Sequence, residues 1–593
     1  MRFGKKVLIP GALAALGLVI GYNNCGSNVS FKNMTRAQGT ATVGNGMNPQ
    51  TVAQEFAQSL CQVVSNCAPS STPVSASDCY TNIQTTTNIV PLLGASFVTY
   101  PTFGDLINSN LAGSIAGNTT AATSSVDSIL QESCSSSAVQ SVFSSGPANY
   151  SNMAAMIPSS SIAAFSPTSI FRSIGPGNTG ALATGGSNSL TIAGTTATFT
   201  NPLPNNVGVG DALQYQVGST WYIAFITSRA SSTAYSLQTA LGGTPLATST
   251  NSSWSLFRAY TSLANAVDST LGGTENVGIN GAVRNFDTWT GGTNIVSANQ
   301  IWNFALYADA PDSSVTNISG WTTSAANYVK VYAPFLSTDV GTTQRHIGVW
   351  DTTKAMLTYT NVYQPLIVTN DAWIDGLQIQ NTENGTYSLF GAINVPAPNP
   401  ITVKVSNNLI DFNVTGGTRY FGVFFGGQTS PAGSVYYAWN NIISNASTAG
   451  SAGIYIYHHG TGYIYNNTVY NSYYAYEADN YAGGNVTFVA KNNIAQDCAF
   501  NVCYYGNNGG SFSALSDYNL SGDSSSTGGT HDLLSKIDTF VSTGALNFEL
   551  SVADTAAKGA GEDLTADPNL SFSVDISNIT RTAPWDIGAT TAH

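Results

Sequence analysis

Two acidic and two histidine side chains lie close together in the C-terminal half of the chain. Glu477 and Asp479 are separated by one residue, and His458 and His459 precede them. Alternate residues of a β-strand point to the same face, so the two carboxyl groups would lie about 7 Å apart. Carboxyl pairs about 5 to 9.5 Å apart cleave glycosidic bonds, one group acting as an acid and the other as a base or nucleophile. These four residues are therefore the candidates for catalysis.

A polysaccharide lyase would instead need a base and a cation beside the carboxylate of its substrate. Arg419 and Lys491 are the nearest basic residues, and both are equally compatible with solvated side chains. No cluster of arginine and acidic residues of the kind that holds calcium is visible in the sequence. We therefore expect no metal and no cofactor, and calcium has no ligand set to support it.

Aromatic residues accompany the acids. Phe424, Tyr455, Tyr457 and Tyr505 occupy predicted outward positions in neighbouring strands. Aromatic rings offer flat apolar faces to the C–H groups of sugars, and carboxylates accept hydrogen bonds from sugar hydroxyls. One hypothesis is a glycan-binding groove, and the alternative is an aromatic ladder that only stabilises a sheet.

An asparagine repeat indicates how these residues are positioned. Asn441, Asn467, Asn493 and Asn519 follow one another at intervals of 26 residues, and Asn408 precedes the first of them by 33. A period in the twenties with short β-branched strands predicts a parallel β-solenoid, whose coils must stack to bury their apolar faces. Stacked asparagines would then form a structural ladder of side-chain hydrogen bonds.

A second strand can be aligned in each coil by its pattern. The aligned segments are 422–426, 453–457, 475–479 and 501–505. We expect Glu477 to be exposed, which sets the phase of the strand alternation. The predicted inward residues are Val423, Ile454, Tyr476 and Val502. The predicted outward ladders are Phe424, Tyr455, Glu477 and Cys503, and then Gly426, Tyr457, Asp479 and Tyr505.

The asparagine-hydrophobic repeats resemble the right-handed parallel β-helix proteins of the pectate-lyase-like superfamily. Residues 260–267 resemble the helix that caps the first coil, and 558–561 and 585–589 resemble the closing segment of many bacterial members. The resemblance implies a right-handed parallel β-helix over 259–525 and a closing segment over 526–593. It leaves the activity open, because this scaffold hosts lyases, hydrolases, esterases and non-catalytic adhesins.

Two further regions precede the repeats. Residues 180–258 contain short strand-like segments separated by turn signals, which predicts a small β sandwich or barrel. Residues 51–165 have helical periodicity and predict a helical module. Six cysteines outside the N-terminal segment suggest disulfides with undetermined pairing: Cys61, Cys67, Cys79, Cys134, Cys498 and Cys503.

The N-terminus resembles an export signal. Residues 2–6 carry positive charge and 7–21 are mostly apolar, so we expect residues 1–24 to be an export signal. Cys25 lies where bacterial lipoproteins carry their lipid-modified cysteine, although Asn23 and Asn24 replace the usual small residues. Residues 25–50 would form a polar tether. The alternative is an ordinary cleaved signal with a chance cysteine.

Composition excludes several classes of function. The chain has 593 residues, of which 8% are charged and 42% hydrophobic, and its net charge is −13. That charge argues against nucleic-acid binding, and the hydrophobic content argues against disorder. We expect a mostly β protein of the bacterial outer membrane or cell surface that touches the membrane only through a lipid. It would recognise a polysaccharide or cell-surface glycan, with polysaccharide cleavage or a purely structural rod as alternatives.

Overall fold

The computed structural model describes residues 49–68, 73–86, 137–143 and 167–592, apart from 269, 271–273, 288–292, 384–390 and 415–418. The expectation of a mostly β chain is confirmed, with 38% strand and 8% helix. Cys25, Cys134, the predicted export signal and most of the predicted tether lie outside the described residues. The α-helices are α1 Pro49–Cys67, α2 Ala76–Thr86, α3 Ser137–Val142 and α4 Leu263–Val267.

Three parallel sheets contain most of the strands in the described part of the chain. Sheet 1 contains β1 Thr168–Ile174, β10 Gln300–Leu306, β12 Val329–Tyr332, β15 Ala372–Asp375, β18 Thr402–Ser406, β21 Val435–Trp439, β24 His459–Tyr465 and β27 Asn485–Lys491. Sheet 2 contains β13 Met356–Thr360, β16 Gln378–Glu383, β19 Leu409–Val414, β22 Ile442–Ser444, β25 Thr468–Tyr470, β28 Ile494–Gln496, β30 Leu520–Ser521 and β31 Leu533–Leu534. Sheet 3 contains β11 Thr316–Ile318, β14 Leu366–Val368, β17 Ile393–Val395, β20 Phe421–Phe425, β23 Ala452–Tyr457, β26 Tyr474–Asp479 and β29 Tyr504–Asn507.

The chain visits the three sheets in turn. From β12 to β29 the order is sheet 1, sheet 2 and sheet 3, repeated, so each coil adds one strand to each sheet. Inward residues stack between coils, as in the rung Val331, Ile374, Val405, Ala438 and Ile464 of sheet 1. One coil cannot bury its own apolar face, so stacking creates the continuous core. The arrangement is consistent with a β-helix-like fold.

Pairs of asparagines form the corner between sheet 1 and sheet 2. The first residue of each pair has a left-handed backbone, with φ of 52° at Asn440, 49° at Asn466 and 54° at Asn492. Asparagine tolerates this conformation better than most residues, because its short side chain bonds locally. The first asparagine therefore makes the bend.

The second asparagine of each pair forms a buried ladder. The side-chain amide of Asn408 donates to Oδ1 of Asn441, and the same bond joins Asn441 to Asn467, Asn467 to Asn493 and Asn493 to Asn519, over 2.9–3.1 Å. Each Oδ1 also accepts the backbone N–H of the preceding asparagine in the ladder. All of these side chains are buried. The ladder thus satisfies backbone donors that the bend leaves without strand partners.

A fourth, antiparallel sheet lies in the chain between β1 and β10. Its spatial order is β2 Ala183–Thr184, β9 Trp254–Phe257, β5 Ala212–Val217, β6 Thr220–Arg229, β7 Ala234–Gln238, β4 Thr196–Phe199, β3 Leu190–Ala193 and β8 Thr248–Asn251. It has its own apolar core, around Leu213, Tyr235 and Trp254. The preceding strand β1 already pairs with β10 of sheet 1.

Buried ion pairs join this fourth sheet to the first coils. Arg258 binds Asp211 at 2.8 Å and Asp309 at 2.9 Å, and Arg172 binds Asp287 at 2.6 Å. Each guanidinium also lies over an aromatic ring. Removing one partner of such a pair leaves an uncompensated buried charge, which is strongly destabilising.

Two disulfides fasten other parts of the chain. Cys61 of α1 is bonded to Cys79 of α2, and Cys498 is bonded to Cys503 in the loop before β29. Cys67 is also disulfide-bonded. No helix among the described residues is both long and apolar enough to cross a bilayer.

The C-terminal segment packs along the asparagine corner. Its strands are β32 Phe540–Ser542 and β33 Asn547–Leu550. Arg581 donates to Oδ1 of Asn440 at 3.0 Å, and the side-chain amide of Asn466 donates to the carbonyls of Asp586 and Gly588. The first asparagines of the pairs therefore serve as docking points for this segment.

Candidate functional site

A pocket of about 390 Å³ opens on the outer face of sheet 3. Strands β20, β23, β26 and β29 and the loops at their ends supply its walls. The lining residues are Arg419, Phe421, Phe424, Gln428, Tyr455, Tyr457, Asp479, Tyr481, Asn507 and Asn508. The pocket thus combines aromatic rings with a carboxylate and three amides, a mixture typical of small-ligand sites.

Strand register brings the acids to the aromatic residues. Phe424 pairs with Tyr455, and Tyr455 pairs with Glu477. One alternation further along, Tyr457 pairs with Asp479. Because paired residues share a face, all five side chains lie on the outer side of sheet 3.

The predicted alignment of residues 501–505 is wrong by two positions. Glu477 pairs with Tyr505 instead of Cys503, and Asp479 pairs with Asn507 instead of Tyr505. The ladder interval of 26 residues holds at the asparagine corner, but residues paired between β26 and β29 are 28 apart. The disulfide loop before β29 contains the two additional residues.

Two orientations change with that register. Cys503 is buried in the core between the sheets, although it was expected on the outer face. Val502 packs against the outer aromatic cluster, although it was expected inside. Gly426, predicted as part of an outward ladder, follows the end of β20 with φ of 92°.

Asp479 accepts several hydrogen bonds inside the pocket. The hydroxyl of Tyr455 donates to Oδ2 at 2.6 Å, and the amide of Asn507 donates to the same oxygen at 3.3 Å. The amide of Asn508 donates to Oδ1 at 2.8 Å. These three donors fix the carboxylate in place.

Glu477 is fully buried, which corrects the expectation that it would be exposed. It does point to the outer face, but side chains on that face cover it. Oε1 accepts a hydrogen bond from Asn507 at 3.1 Å, whereas Oε2 is buried without a partner. Burial raises the pKa of Glu477 to about 7, although the Asn507 hydrogen bond and the charge of Arg419 favour ionisation.

Five rings form the walls of the pocket. Phe421 stacks on Tyr455 with centroids 4.8 Å apart, and Phe424 meets the same tyrosine edge-on at 5.1 Å. Tyr457 stacks on Tyr481 at 5.2 Å. Burial next to acidic groups raises the pKa of Tyr455, so its hydroxyl stays protonated as a donor.

Not every predicted residue belongs to the pocket. Tyr505 stacks on Tyr474 at 4.2 Å and does not line it. His458 and His459 lie at the bend after β23, where Nδ1 of His458 contacts the carbonyl of Tyr481 and Nδ1 of His459 accepts from the backbone of Asn485. Neither imidazole is hydrogen-bonded to Glu477 or Asp479 in the part of the chain that the structure describes.

Basic residues near the acids differ in position. Arg419 is exposed at the pocket rim, where its Nε donates to the carbonyl of Gly450 at 2.9 Å. Lys491 lies elsewhere, bonded to Asp567 at 3.0 Å and Glu562 at 3.1 Å. Of these two basic residues, Arg419 lines the pocket and is exposed to solvent, whereas Lys491 does not line it.

One group of potential metal ligands occurs among the described residues. It consists of Cys498, Cys503 and Asp523. The two cysteines are disulfide-bonded and have no thiolate to offer, and Asp523 instead accepts the backbone N–H of Cys503. This group does not suit a metal ion.

Sequence patterns did not indicate several residues of the pocket. Phe421, Gln428, Tyr481, Asn507 and Asn508 lie at strand ends or in loops, where the repeat sets no register. The Asn-Gly turn after β29 was the available signal for the two amides.

The chain matches no family model, no curated protein and no solved structure. The function must therefore be argued from the pocket itself.

Proposed function

We propose that this chain is an exported envelope protein that recognises glycans without cleaving them. The observation that carries the proposal is the outer-face pocket, in which Tyr457 and Tyr481 stand beside Asp479, Asn507 and Asn508. Rings of this kind contact the apolar faces of sugars, while carboxylate and amide groups exchange hydrogen bonds with hydroxyls. The aromatic cluster also stabilises sheet 3, so binding and stability are both served by the same side chains.

We further propose that sheets 1 to 3 wind as a right-handed parallel β-helix. The recurring visit to three parallel sheets supports this winding, since parallel strand crossovers are right-handed in nearly all proteins. The asparagine corner supports it too, because an in-register ladder requires stacked coils. The C-terminal segment would close this β-helix.

The cellular context is proposed from the sequence alone. Residues 1–24 would direct export, and Cys25 would carry the lipid that attaches the protein to a bacterial outer membrane or cell surface. The lipid would be the sole membrane contact, and the polar residues up to 50 would separate the folded part from the bilayer. Radiolabelled palmitate incorporation, lost in Cys25→Ala, tests this.

A glycan array tests recognition. Tyr457→Ala removes one ring from the wall, and we expect binding to fall at least about tenfold through the loss of one stacking surface. Tyr437→Ala is the matched control, because Tyr437 stacks on Tyr463 on the outer face of sheet 1, away from the pocket. Equal binding by wild type and Tyr457→Ala would reject the pocket as the site.

Polysaccharide cleavage is the second candidate, favoured by one observation. A carboxyl group with a pKa of about 7 beside another carboxyl group is the signature of a general acid, and Glu477 has that pKa. Its complete burial favours binding over cleavage. Incubation with uronate and neutral glycans, with and without Ca²⁺, distinguishes the two: new reducing ends or unsaturated products that disappear in Glu477→Gln would establish cleavage. Absence of both binding and cleavage would favour the structural rod.

A further inference from the structure

The two acids of the pocket region lack a cationic partner. Within the described part of the chain, neither Glu477 nor Asp479 forms an ion pair. Their hydrogen bonds come from neutral donors, the hydroxyl of Tyr455 and the amides of Asn507 and Asn508. Two adjacent carboxyl groups are thus buried without the countercharge that burial usually requires.

Some other acids of the molecule are neutralised by arginine. Asp211 and Asp309 bind Arg258, and Asp287 binds Arg172. Asp538 is, like Glu477, a buried acid without such a partner among the described residues, but it does not lie beside a pocket lined by aromatic rings. Among the described residues, no arginine or lysine forms an ion pair with either acid of the pocket region, and Oε2 of Glu477 has no hydrogen-bond donor.

The walls of the pocket suit a positive charge as well. Five aromatic rings surround a space that Asp479 also lines. Aromatic faces carry partial negative charge and attract ammonium groups, most strongly where water is excluded. Rings and carboxylates therefore act in the same direction on a bound cation.

We infer that the pocket selects a glycan unit bearing a protonated amine, such as an unacetylated amino sugar. The inference rests on the proposed glycan-binding function and names the class of sugar. The ammonium would contact Asp479, which lines the pocket, and would place positive charge near Glu477, which is buried beside it and does not line the pocket, while the sugar ring contacts the aromatic walls. A uronate would instead bring a third carboxylate to this pair and is disfavoured.

Arg419 provides an independent test of whether the pocket prefers a positively charged or a negatively charged sugar. Among the described residues it is the one cation that lines the pocket; it is exposed, and its guanidinium lies 5.1 Å from the centre of the Phe421 ring. An arginine would strengthen binding of an acidic sugar and weaken binding of an aminated one. Arg419→Gln should therefore bind an amino sugar about two- to fivefold more tightly and a uronate more weakly.

Calorimetry of the full chain with three tetrasaccharides tests the inference. The probes are chitosan tetramer, its fully N-acetylated counterpart and cellotetraose, which share the linkage and differ in charge. We expect chitosan tetramer to bind at least about tenfold more tightly than either neutral sugar, with a smaller difference at high salt. Glu477→Gln should reduce that preference severalfold, whereas Asp563→Asn, an exposed acid distant in sequence from the pocket strands, should leave it unchanged.

The outcomes separate the two levels of the proposal. Equal affinity for the three tetrasaccharides, or tighter binding of the amino sugar after Glu477→Gln, would overturn the amine preference and leave glycan binding standing. Absence of binding to these sugars and to every array glycan would overturn both. Thermal melting of each variant verifies folding, and Arg419→Gln keeps the test decisive if Glu477→Gln does not fold, since a rim residue is not needed for the core.

Discussion

Truncating one rung of the asparagine ladder should be among the most destabilising single substitutions in this protein. Oδ1 of Asn467 accepts the backbone N–H of Asn441 at 3.0 Å and its side-chain amide at 2.9 Å. Nδ2 of Asn467 donates to the carbonyls of Ala438 and Tyr465 and to Oδ1 of Asn493. The substitution Asn467→Ala removes all of these bonds from a fully buried position.

The expected loss follows from what remains unpaired. The backbone N–H of Asn441 would be left buried without an acceptor, which costs about 1–3 kcal/mol. Removing a buried side chain from a packed corner adds about 1–2 kcal/mol through the space it leaves. We therefore expect Asn467→Ala to lower the free energy of unfolding by about 2–5 kcal/mol.

Urea unfolding followed by far-UV circular dichroism measures this loss. Asn413→Ala is the matched control, because Asn413 is an exposed asparagine on β19 of sheet 2, outside the ladder, and it should change stability by less than about 0.5 kcal/mol. A loss for Asn467→Ala within about 1 kcal/mol of that control would refute the role of the ladder. An altered denaturant slope would instead indicate that the transition is no longer the same.

Three further outcomes follow from buried groups. Burial raises the pKa of Glu477 to about 7, so the folded protein is fully stable below about pH 4.5, where this group is protonated, and loses stability as the pH rises through 7. Urea titrations of Glu477→Gln should therefore show wild-type stability at pH 4 and a gain of about 2–3 kcal/mol over wild type at pH 8. Burial beside Asp554 raises the pKa of Asp538 to about 8, and neither of its carboxylate oxygens has a partner, so Asp538→Asn should stabilise the protein at pH 8 and not at pH 4. Replacing Cys498 and Cys503 together by serine should lower stability by about 2 kcal/mol, the value for closing so short a loop, as measured by the urea midpoint with dithiothreitol as the control on wild type.

The corner between sheets 1 and 2 could be predicted from the sequence because the same residue type, asparagine, occurs there in each successive coil. An asparagine that donates to the next asparagine must occur once per coil, so the interval between Asn441, Asn467 and Asn493 reveals the stacking directly. The side-chain chemistry and the repeat interval carry the same information there. This is why parallel stacking and the ladder could be anticipated together.

The register of sheet 3 could not be taken from that interval. Paired residues are 22 positions apart from Tyr455 to Glu477 and 28 apart from Glu477 to Tyr505. The loops between the sheets absorb the difference, since surface loops tolerate insertions that a buried corner does not. Because loop lengths vary in this way, the sequence did not indicate that Asn507 and Asn508 line the pocket, where the observed register places them.

Strand alternation also failed to predict exposure. It correctly placed Glu477 on the outer face, yet neighbouring rings and amides cover that face completely at this position. Direction relative to a sheet is a local property, whereas burial depends on neighbouring coils. Likewise, β1 was not anticipated in sheet 1, because the whole antiparallel sheet separates it in sequence from its partner β10.

The proposed binding of a cation would account for the carboxyl group of Glu477, whose burial does not favour stability. The nearest neighbours of Glu477 in its rung are aromatic, with Tyr455 and then Phe424 on one side and Tyr505 on the other. An apolar side chain would continue that rung without the desolvation of a carboxyl group, and replacing buried ionic groups by hydrophobic ones is often neutral or stabilising. A carboxyl group at this position therefore lowers the stability of the free protein, and a cationic ligand beside it would reverse that loss. The buried carboxyl group that destabilises the free protein would then stabilise the complex. Glu477→Gln should therefore raise the stability of the free protein and lower its affinity for a cationic ligand.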